Sequence, residues 1–165
     1  YLIAGIVTAL RVQAGRKGKI AFVTLDDCKG SQEVVVFSEV FEQSRAMLRE
    51  DALVVIDVKV TQRMGEDGEV TGLRILAEQV YDLAGVRKRW GRRLKLSCNG
   101  NATAERLATI LAPFKSGGLP VVVHYINGVC EGDLELSDDW KVTPDEALLA
   151  RLADWLAPEN VTVQY

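Results

Sequence analysis

The sequence predicts an α+β chain in two parts, a five-stranded β-barrel followed by a small βαββαβ unit. Three observations predict it. Gly18–Phe37 holds two strand-like runs around the turn-forming stretch Asp26-Asp27-Cys28-Lys29-Gly30-Ser31, which reads as an antiparallel hairpin. One helical stretch falls between the third and fourth of five strand-like runs in the first 81 residues. From Leu94 onward the pattern starts again as β-α-β-β-α-β.

The first strand is Tyr1–Ala14, carried by Leu2, Ile3, Ile6, Val7, Leu10 and Val12, with Gly5 inside it. A glycine within a strand marks a bulge or a tight bend, as a strongly coiled first barrel strand requires. In the hairpin Ala21, Val23 and Leu25 share one face and Ile20, Phe22 and Thr24 the other. Glu33–Phe37 returns as a β-branched run, and Gly30 is the residue free to take a positive φ in the turn. Ser38 is the expected N-cap of a helix that runs to about Arg49, with Val40, Phe41, Met47 and Leu48 at helical spacing. Leu53–Val60 and Val70–Val80 are the fourth and fifth strands, joined by the turn Gly65-Glu66-Asp67-Gly68. A helix between strands three and four of five is the order of the OB-fold, a Greek-key barrel that binds nucleic-acid strands across strands two and three and the loops after strands one and four.

Residues 1–81 are therefore expected to be the OB unit, 82–93 a basic linker, and 94–165 a second unit. The linker packs six cations into the nine positions Arg87–Lys95 around Trp90. It reads as a solvated connector, with a phosphate-tracking segment stacking Trp90 on bases as the alternative. In the second unit Leu94–Ser97 is a strand, and Asn101 or Thr103 caps a helix striped by Leu107, Ile110, Leu111 and Phe114. Leu119–Ile126 and Val129–Leu136 flank Asn127-Gly128, a type I′ turn signal. Thr143 as cap, Pro144 at the first helical position and Glu146 as the capping-box residue open a helix striped by Leu148, Leu152, Trp155 and Leu156. Val161–Tyr165 is the last strand. That order is the one of split βαβ, ferredoxin-like units.

At 165 residues, 48% of them hydrophobic, the chain can bury one ordinary core or two small ones. No run reaches the roughly 18 apolar residues of a membrane span. The chain starts inside a strand-like pattern with no initiator Met and no signal-like segment, so it is expected to be a piece of something longer. Cys28, Cys98 and Cys130 are odd in number and scattered, which fits isolated reduced thiols in a cytoplasmic protein and neither a disulfide nor a metal site. His124, the single histidine, sits in the apolar run Val121–Ile126 and reads as a strand residue. No triad, no acid–base pair and no P-loop is spelled out, so an enzyme is the least expected reading, with no cofactor and no metal. Residues 1–90 balance 13 Lys/Arg against 13 Asp/Glu, and residues 91–165 carry 7 against 10. Nucleic-acid binding must then rest on local patches. The candidates are Arg16, Lys17 and Lys19 in the loop after strand one, Phe22 on strand two, and Arg63 before the loop after strand four. Phe22 is a base-stacking platform if its face points outward and a core residue if it points inward; periodicity leaves both open. With so few cations, single-strand binding should be weak and salt-sensitive.

Several segments carry a resemblance. Ala4-Gly5-Ile6-Val7, Gly15–Lys19, Ala21–Asp27, Glu33–Phe37 and Arg74–Glu78 resemble the OB domain of bacterial replicative DNA polymerase III alpha subunits. Trp140–Pro144 and Asn160–Tyr165 resemble the extreme C-terminal domain of the same family, so the likeness spans the chain in order. The resemblance implies that polymerase, PHP and clamp-motif parts lie upstream, and that the OB domain contacts single-stranded template. It also implies that the C-terminal domain tethers the polymerase to the tau subunit of the clamp loader in the bacterial cytoplasm. Arg16, Lys17, Lys19 and Phe22 are then the DNA-side residues, and Val161, Val163 and Tyr165 with Trp155 nearby the tau-side ones. The final segment is also a possible contact for the sliding clamp. The chain departs from the family where Ser38 stands for a usual Pro, and where Asp57 and Val58 stand near a usual Gly.

Two other readings compete. The anticodon-binding OB domain of a class II aminoacyl-tRNA synthetase also carries a Phe, apolar residues and an Asp on strand two, but a large catalytic domain would follow it. A pure protein-binding scaffold would leave the cation loop as solvated decoration.

Overall fold

The computed structural model describes residues 1–15, 18–64, 69–100 and 102–165, with Met64 by its backbone. It divides into two compact units, Tyr1–Leu83 and Ala84–Tyr165. The loop cations Arg16 and Lys17, the turn 65–68 and the possible cap Asn101 lie outside the described residues.

The first unit is a closed five-stranded barrel in the order β1-β2-β3-β5-β4. Its strands are β1 (Leu2–Gly15), β2 (Gly18–Asp26), β3 (Ser31–Val36), β4 (Leu53–Met64) and β5 (Val70–Tyr81), with α1 (Ser38–Ser44) between β3 and β4. β1 makes closure possible because it serves two neighbours. Its start pairs with β4, from Leu2 opposite Asp57 to Ile6 opposite Leu53, and its remainder pairs with β2 out to Gly15 opposite Gly18. The bend this needs is a register shift between Val7 and Ala9. Gly5 is therefore not the bulge. A Cβ there would stand 2.8 Å from the carbonyl oxygen of Asp26, so glycine is required by close backbone approach where β1 passes from one neighbour to the other. β3 and β5 run parallel, with Val35 opposite Leu76, and close the barrel.

Alternation fills the interior. Val7, Ala21, Val23, Leu25, Val34, Val36, Val54, Ile56 and Val58 are at most a few per cent exposed, and Phe41 of α1 joins this core. Each of the Val, Leu, Ile and Phe side chains among them contributes on the order of 1.5–3 kcal/mol by leaving water. The helix cap differs from expectation. Phe37 is the N-cap and makes no side-chain cap bond, so Ser38 is the first helical residue, the position that favours Pro. The helix stops at Ser44 rather than Arg49, and Leu48 is buried from the turn that follows. At Asp57–Val58 the β4–β5 register shifts by a bulge.

The hairpin turns are built alike. Asp27 Oδ1 accepts the N–H groups of Lys29 and Gly30, both at 3.0 Å. Asn127 Oδ1 accepts those of Val129 at 3.0 Å and Cys130 at 2.9 Å. The left-handed residue is the one after the Asx residue: Cys28 at φ 68° and Gly128 at φ 80°. Gly30 is not in that conformation, and Asn127 flanks its turn rather than sitting at its centre. The side-chain carbonyl decides this, because it gathers N–H groups two and three residues on.

The second unit begins one residue into α2 (Leu83–Trp90), continues through β6 (Arg93–Asn99), α3 (Ala104–Leu111), β7 (Val121–Ile126), β8 (Glu131–Glu135) and α4 (Glu146–Leu156), and ends in β9 (Val161–Gln164). The stretch expected to be a solvated linker is thus a helix and the start of a strand. Arg87 Nη1 donates to Glu146 Oε2 at 2.6 Å, and Arg93 Nε donates to Gln164 Oε1 at 2.5 Å, so two of its cations have side-chain partners within the unit.

The sheet order is β8-β7-β6-β9. The element order is the expected one, but β6 and β7 are parallel neighbours, so the βαβ unit is not split. The β7–β8 hairpin places β8 outside β7, and β9 pairs antiparallel on the far side of β6. One face of the sheet carries Leu94, Leu96, Cys98, Val121 and Val123, packed with Leu107 and Leu111 of α3 and Leu148 and Leu152 of α4. Thr103 caps α3 by accepting from the Arg106 N–H. Asp145, not Thr143, caps α4, accepting from the Leu148 N–H at 2.8 Å. A carboxylate one residue after the proline outcompetes the threonine because it adds charge at the helix N-terminus.

Candidate functional sites

On β2, Ala21, Val23 and Leu25 are buried, so Phe22 is on the outer face of the barrel, half-exposed. Register then places side chains that no single-strand pattern shows together. Arg11 lies opposite Phe22, Phe22 opposite Val35, Val35 opposite Leu76, and Leu76 opposite Lys59. A belt crosses all five strands on the barrel's outer face, with a cation at each end; Phe22 and Leu76 are partly exposed on it, whereas Val35 between them is buried, at 5% exposed. Arg74, opposite Thr61, and Arg63, opposite Gly72, continue the cationic side along the β4–β5 ribbon.

In this structure the belt is latched. Arg11 Nη2 donates to Glu33 Oε2 at 2.5 Å, and to reach across it passes over the Phe22 ring at 6.0 Å from the centroid. Both partners are well exposed, so the pair is of the kind worth little net stability. The sequence candidates divide accordingly. Phe22 is in the belt, and Arg63 stands on the same face beyond Lys59. Lys19 is exposed, three residues ahead of Phe22 and so roughly 10 Å along the strand. Arg11, Val35, Lys59, Arg74 and Leu76 were invisible to reasoning strand by strand, because only cross-strand register joins them.

At the β2–β3 turn the Ser31 hydroxyl, at 2.7 Å, and the Cys28 N–H, at 2.8 Å, hold the Asp26 carboxyl below its usual range. Asp26 and Asp27 thus organise the loop and do not form an acid–base pair. Burial pushes the Cys98 thiol up. Among the described residues no group of three or more His, Cys, Asp or Glu side chains is placed to hold a metal ion, and no helix is long and apolar enough to cross a membrane.

In the second unit, Val161, Val163 and Tyr165 come together. With Leu149, Ala150 and Ala153 of α4 they line a groove of 370 Å³. Among the described residues β9 is an edge strand that pairs with β6 alone. Val161 and Val163 are half-buried against the core, whereas Tyr165 is 56% exposed. Trp155 is not in this groove. The Arg106 guanidinium stands 5.5 Å from its ring centroid, and it lines a separate groove with Cys98, Leu107 and Tyr125.

A closed five-stranded Greek-key barrel with an aromatic and flanking cations on its outer face defines a protein of the OB-fold class. Residues 1–83, half of the chain, match the family described as OB-fold nucleic acid binding domain, and the chain belongs to that family. Residues 106–156 match the family described as DNA polymerase III subunit alpha, C-terminal domain. The whole chain is similar to the DNA polymerase III alpha subunits of bacteria. It is 34% identical over 99% of its length to that of Neisseria meningitidis serogroup A, 32% over 99% to that of Pseudomonas aeruginosa, and 28% over 98% to that of Escherichia coli K12. It spans 14% of the length of each of these relatives. Among solved structures, the second OB-fold domain of replication protein A from Methanococcus maripaludis aligns with 50% of this chain and 81% of its own, at 16% identity and a TM-score of 0.35. At that score the likeness adds nothing to the topology already described.

Proposed function

We propose that this chain is the non-catalytic C-terminal part of a bacterial DNA polymerase III alpha subunit, acting in chromosomal replication in the cytoplasm. The barrel contacts single-stranded template, and the second unit tethers the polymerase to the tau subunit of the clamp loader. The observation that carries the DNA contact is the belt Arg11–Phe22–Val35–Leu76–Lys59. A base stacks on Phe22 while the cations at either end take phosphates, and stacking of this kind is worth about 1–3 kcal/mol per base. The edge strand β9 and its groove support the tether, through Val161, Val163 and Tyr165. Trp155 lines a separate groove and does not border this one.

Titration with a fluorescent oligothymidylate tests the first part. Phe22→Ala should weaken binding by roughly 5- to 150-fold, the equivalent of that stacking energy, while Phe22→Trp retains it. Equal affinity for all three proteins would remove the belt from the reading. Calorimetric titration with the C-terminal domain of tau from the same organism tests the second. A one-to-one isotherm that Tyr165→Ala weakens is expected, and absence of heat and of co-elution would sink the tether.

A further inference from the structure

The other edge of the second sheet is also open, and it carries a different pattern. Among the described residues β8 pairs only with β7. Antiparallel pairs alternate between bonded and non-bonded residues. Bonds from the Leu136 N–H to the Val121 carbonyl at 2.9 Å and from the Asn127 N–H to the Cys130 carbonyl at 3.2 Å fix the phase. The backbone N–H and C=O groups of Glu131, Asp133 and Glu135 therefore point away from β7, and no strand among the described residues meets them.

The side chains of β8 split by face. Glu131, Asp133 and Glu135 lie opposite Ile126, His124 and Val122, on the face away from the helices. Asp133 bonds His124 Nδ1 at 2.5 Å, with Lys95 at 3.9 Å, and Glu131 is 3.5 Å from His124. Glu135 has no ion-pair partner among the described residues, so the row keeps a negative balance. Leu134 lies opposite Val123 on the helix-covered face, yet is 61% exposed. It borders the apolar groove of 230 Å³ whose other walls include Leu107, Tyr125 and Trp155.

We propose that β8 is a docking edge for an extended segment of a partner protein that alternates cationic and apolar side chains. The segment adds as a strand to the outward N–H and C=O groups. Its apolar residues enter the groove beside Leu134 and Trp155, and its cations lie over Glu131, Asp133 and Glu135 on the opposite face. Main-chain bonds give such a complex its affinity and the alternation its selectivity. The surface is separate from β9, so it stands whether or not β9 binds tau.

The test uses the ¹⁵N-labelled 165-residue chain and a capped heptapeptide, Lys-Val-Lys-Leu-Lys-Val-Lys, followed by NMR. Saturable shifts are expected at the amides of Glu131–Glu135 and at the Trp155 indole. Leu134→Ser should weaken binding about tenfold with amide positions outside β8 unchanged, which separates loss of the site from loss of the fold. Glu131→Gln with Glu135→Gln should weaken it severalfold and flatten its salt dependence. A peptide of the same composition with the alternation broken, or one N-methylated at alternate residues, should not bind. Shifts confined to β9 or the barrel, equal binding by the scrambled peptide, or no binding at all would overturn the proposal. Pairing of β8 with a second copy of the chain, seen as concentration-dependent shifts without peptide, would overturn it as well.

Discussion

Arg11 has two possible anionic partners, and the structure shows it with the internal one. In the DNA contact proposed above, Glu33 competes with a phosphate for Arg11, and the guanidinium that spans to Glu33 lies over the Phe22 ring. A strand that binds the belt must exchange that carboxylate for its own phosphate. Exposed pairs of this kind are worth about 0.2–1 kcal/mol. Glu33→Gln should therefore raise affinity for single strands by about 1.4- to 5-fold, with little change in thermal stability; a lower affinity would show that Glu33 supports the site rather than competing for it. A second carboxylate acts on stability instead. The Ser31 hydroxyl first, and the Cys28 N–H second, depress the Asp26 pKa from its ordinary value of 3.8. A depressed pKa means stability that is present above the ordinary carboxylate value and is lost as pH falls through the folded one. Urea denaturation of the wild type and Asp26→Ala should show a gap that is full at pH 7 and closes in acid below 3.8. A gap that stayed constant with pH would mean that the ionised form is not what the turn bonds.

At the scale of elements, the two hairpins share one turn design and differ at one residue. Each has an Asx side chain gathering two N–H groups, and each sends the next residue left-handed, Cys28 in one and Gly128 in the other. The left-handed conformation costs an L-residue roughly 1–2 kcal/mol, part of which glycine's greater unfolded-state freedom offsets. Cys28 is exposed. Cys28→Gly should then stabilise the barrel by about 0.5–1 kcal/mol, read as a higher urea midpoint with an unchanged slope. The elements themselves were legible because β-branched runs such as Val34-Val35-Val36 and Val121-Val122-Val123 have few other fates. What stayed hidden was decided by competition or by neighbours. Asp145 took the cap from Thr143, and Asp27 moved the left-handed position away from Gly30. Arg87 found a partner on α4 and Arg93 one on β9, contacts between distant parts of the chain that a local charge run does not reveal. Alternation separated the two faces of β2 but could not say which was inward; that was settled by which face met Val7, Ile56 and Phe41.

For the whole molecule, charge sets how the proposed DNA contact should behave. The net charge is −3, and the excess of acid lies in residues 91–165. General attraction to a polyanion is therefore absent, and binding depends on the local set Arg11, Lys19, Lys59, Arg63 and Arg74 on the barrel. Releasing counterions from a single strand gives a slope of log K against log salt of about −0.7 per phosphate neutralised. If three to five of these cations engage phosphates, the slope is about −2 to −3.5. Removing one cation at a time should then lower the magnitude by about 0.7 each, and Lys59→Ala is the informative choice. It stands at the far end of the belt from Arg11, was not suggested by any loop or motif, and is exposed, so its loss should leave the barrel folded. Its effect should be the same for oligothymidylate and oligoadenylate, because phosphate contacts carry no base preference, whereas Phe22→Ala should change affinity and leave the salt slope in place. A Lys59→Ala slope equal to the wild type would shift the phosphate path off the belt toward the β4–β5 ribbon, where Arg63 and Arg74 would carry it alone.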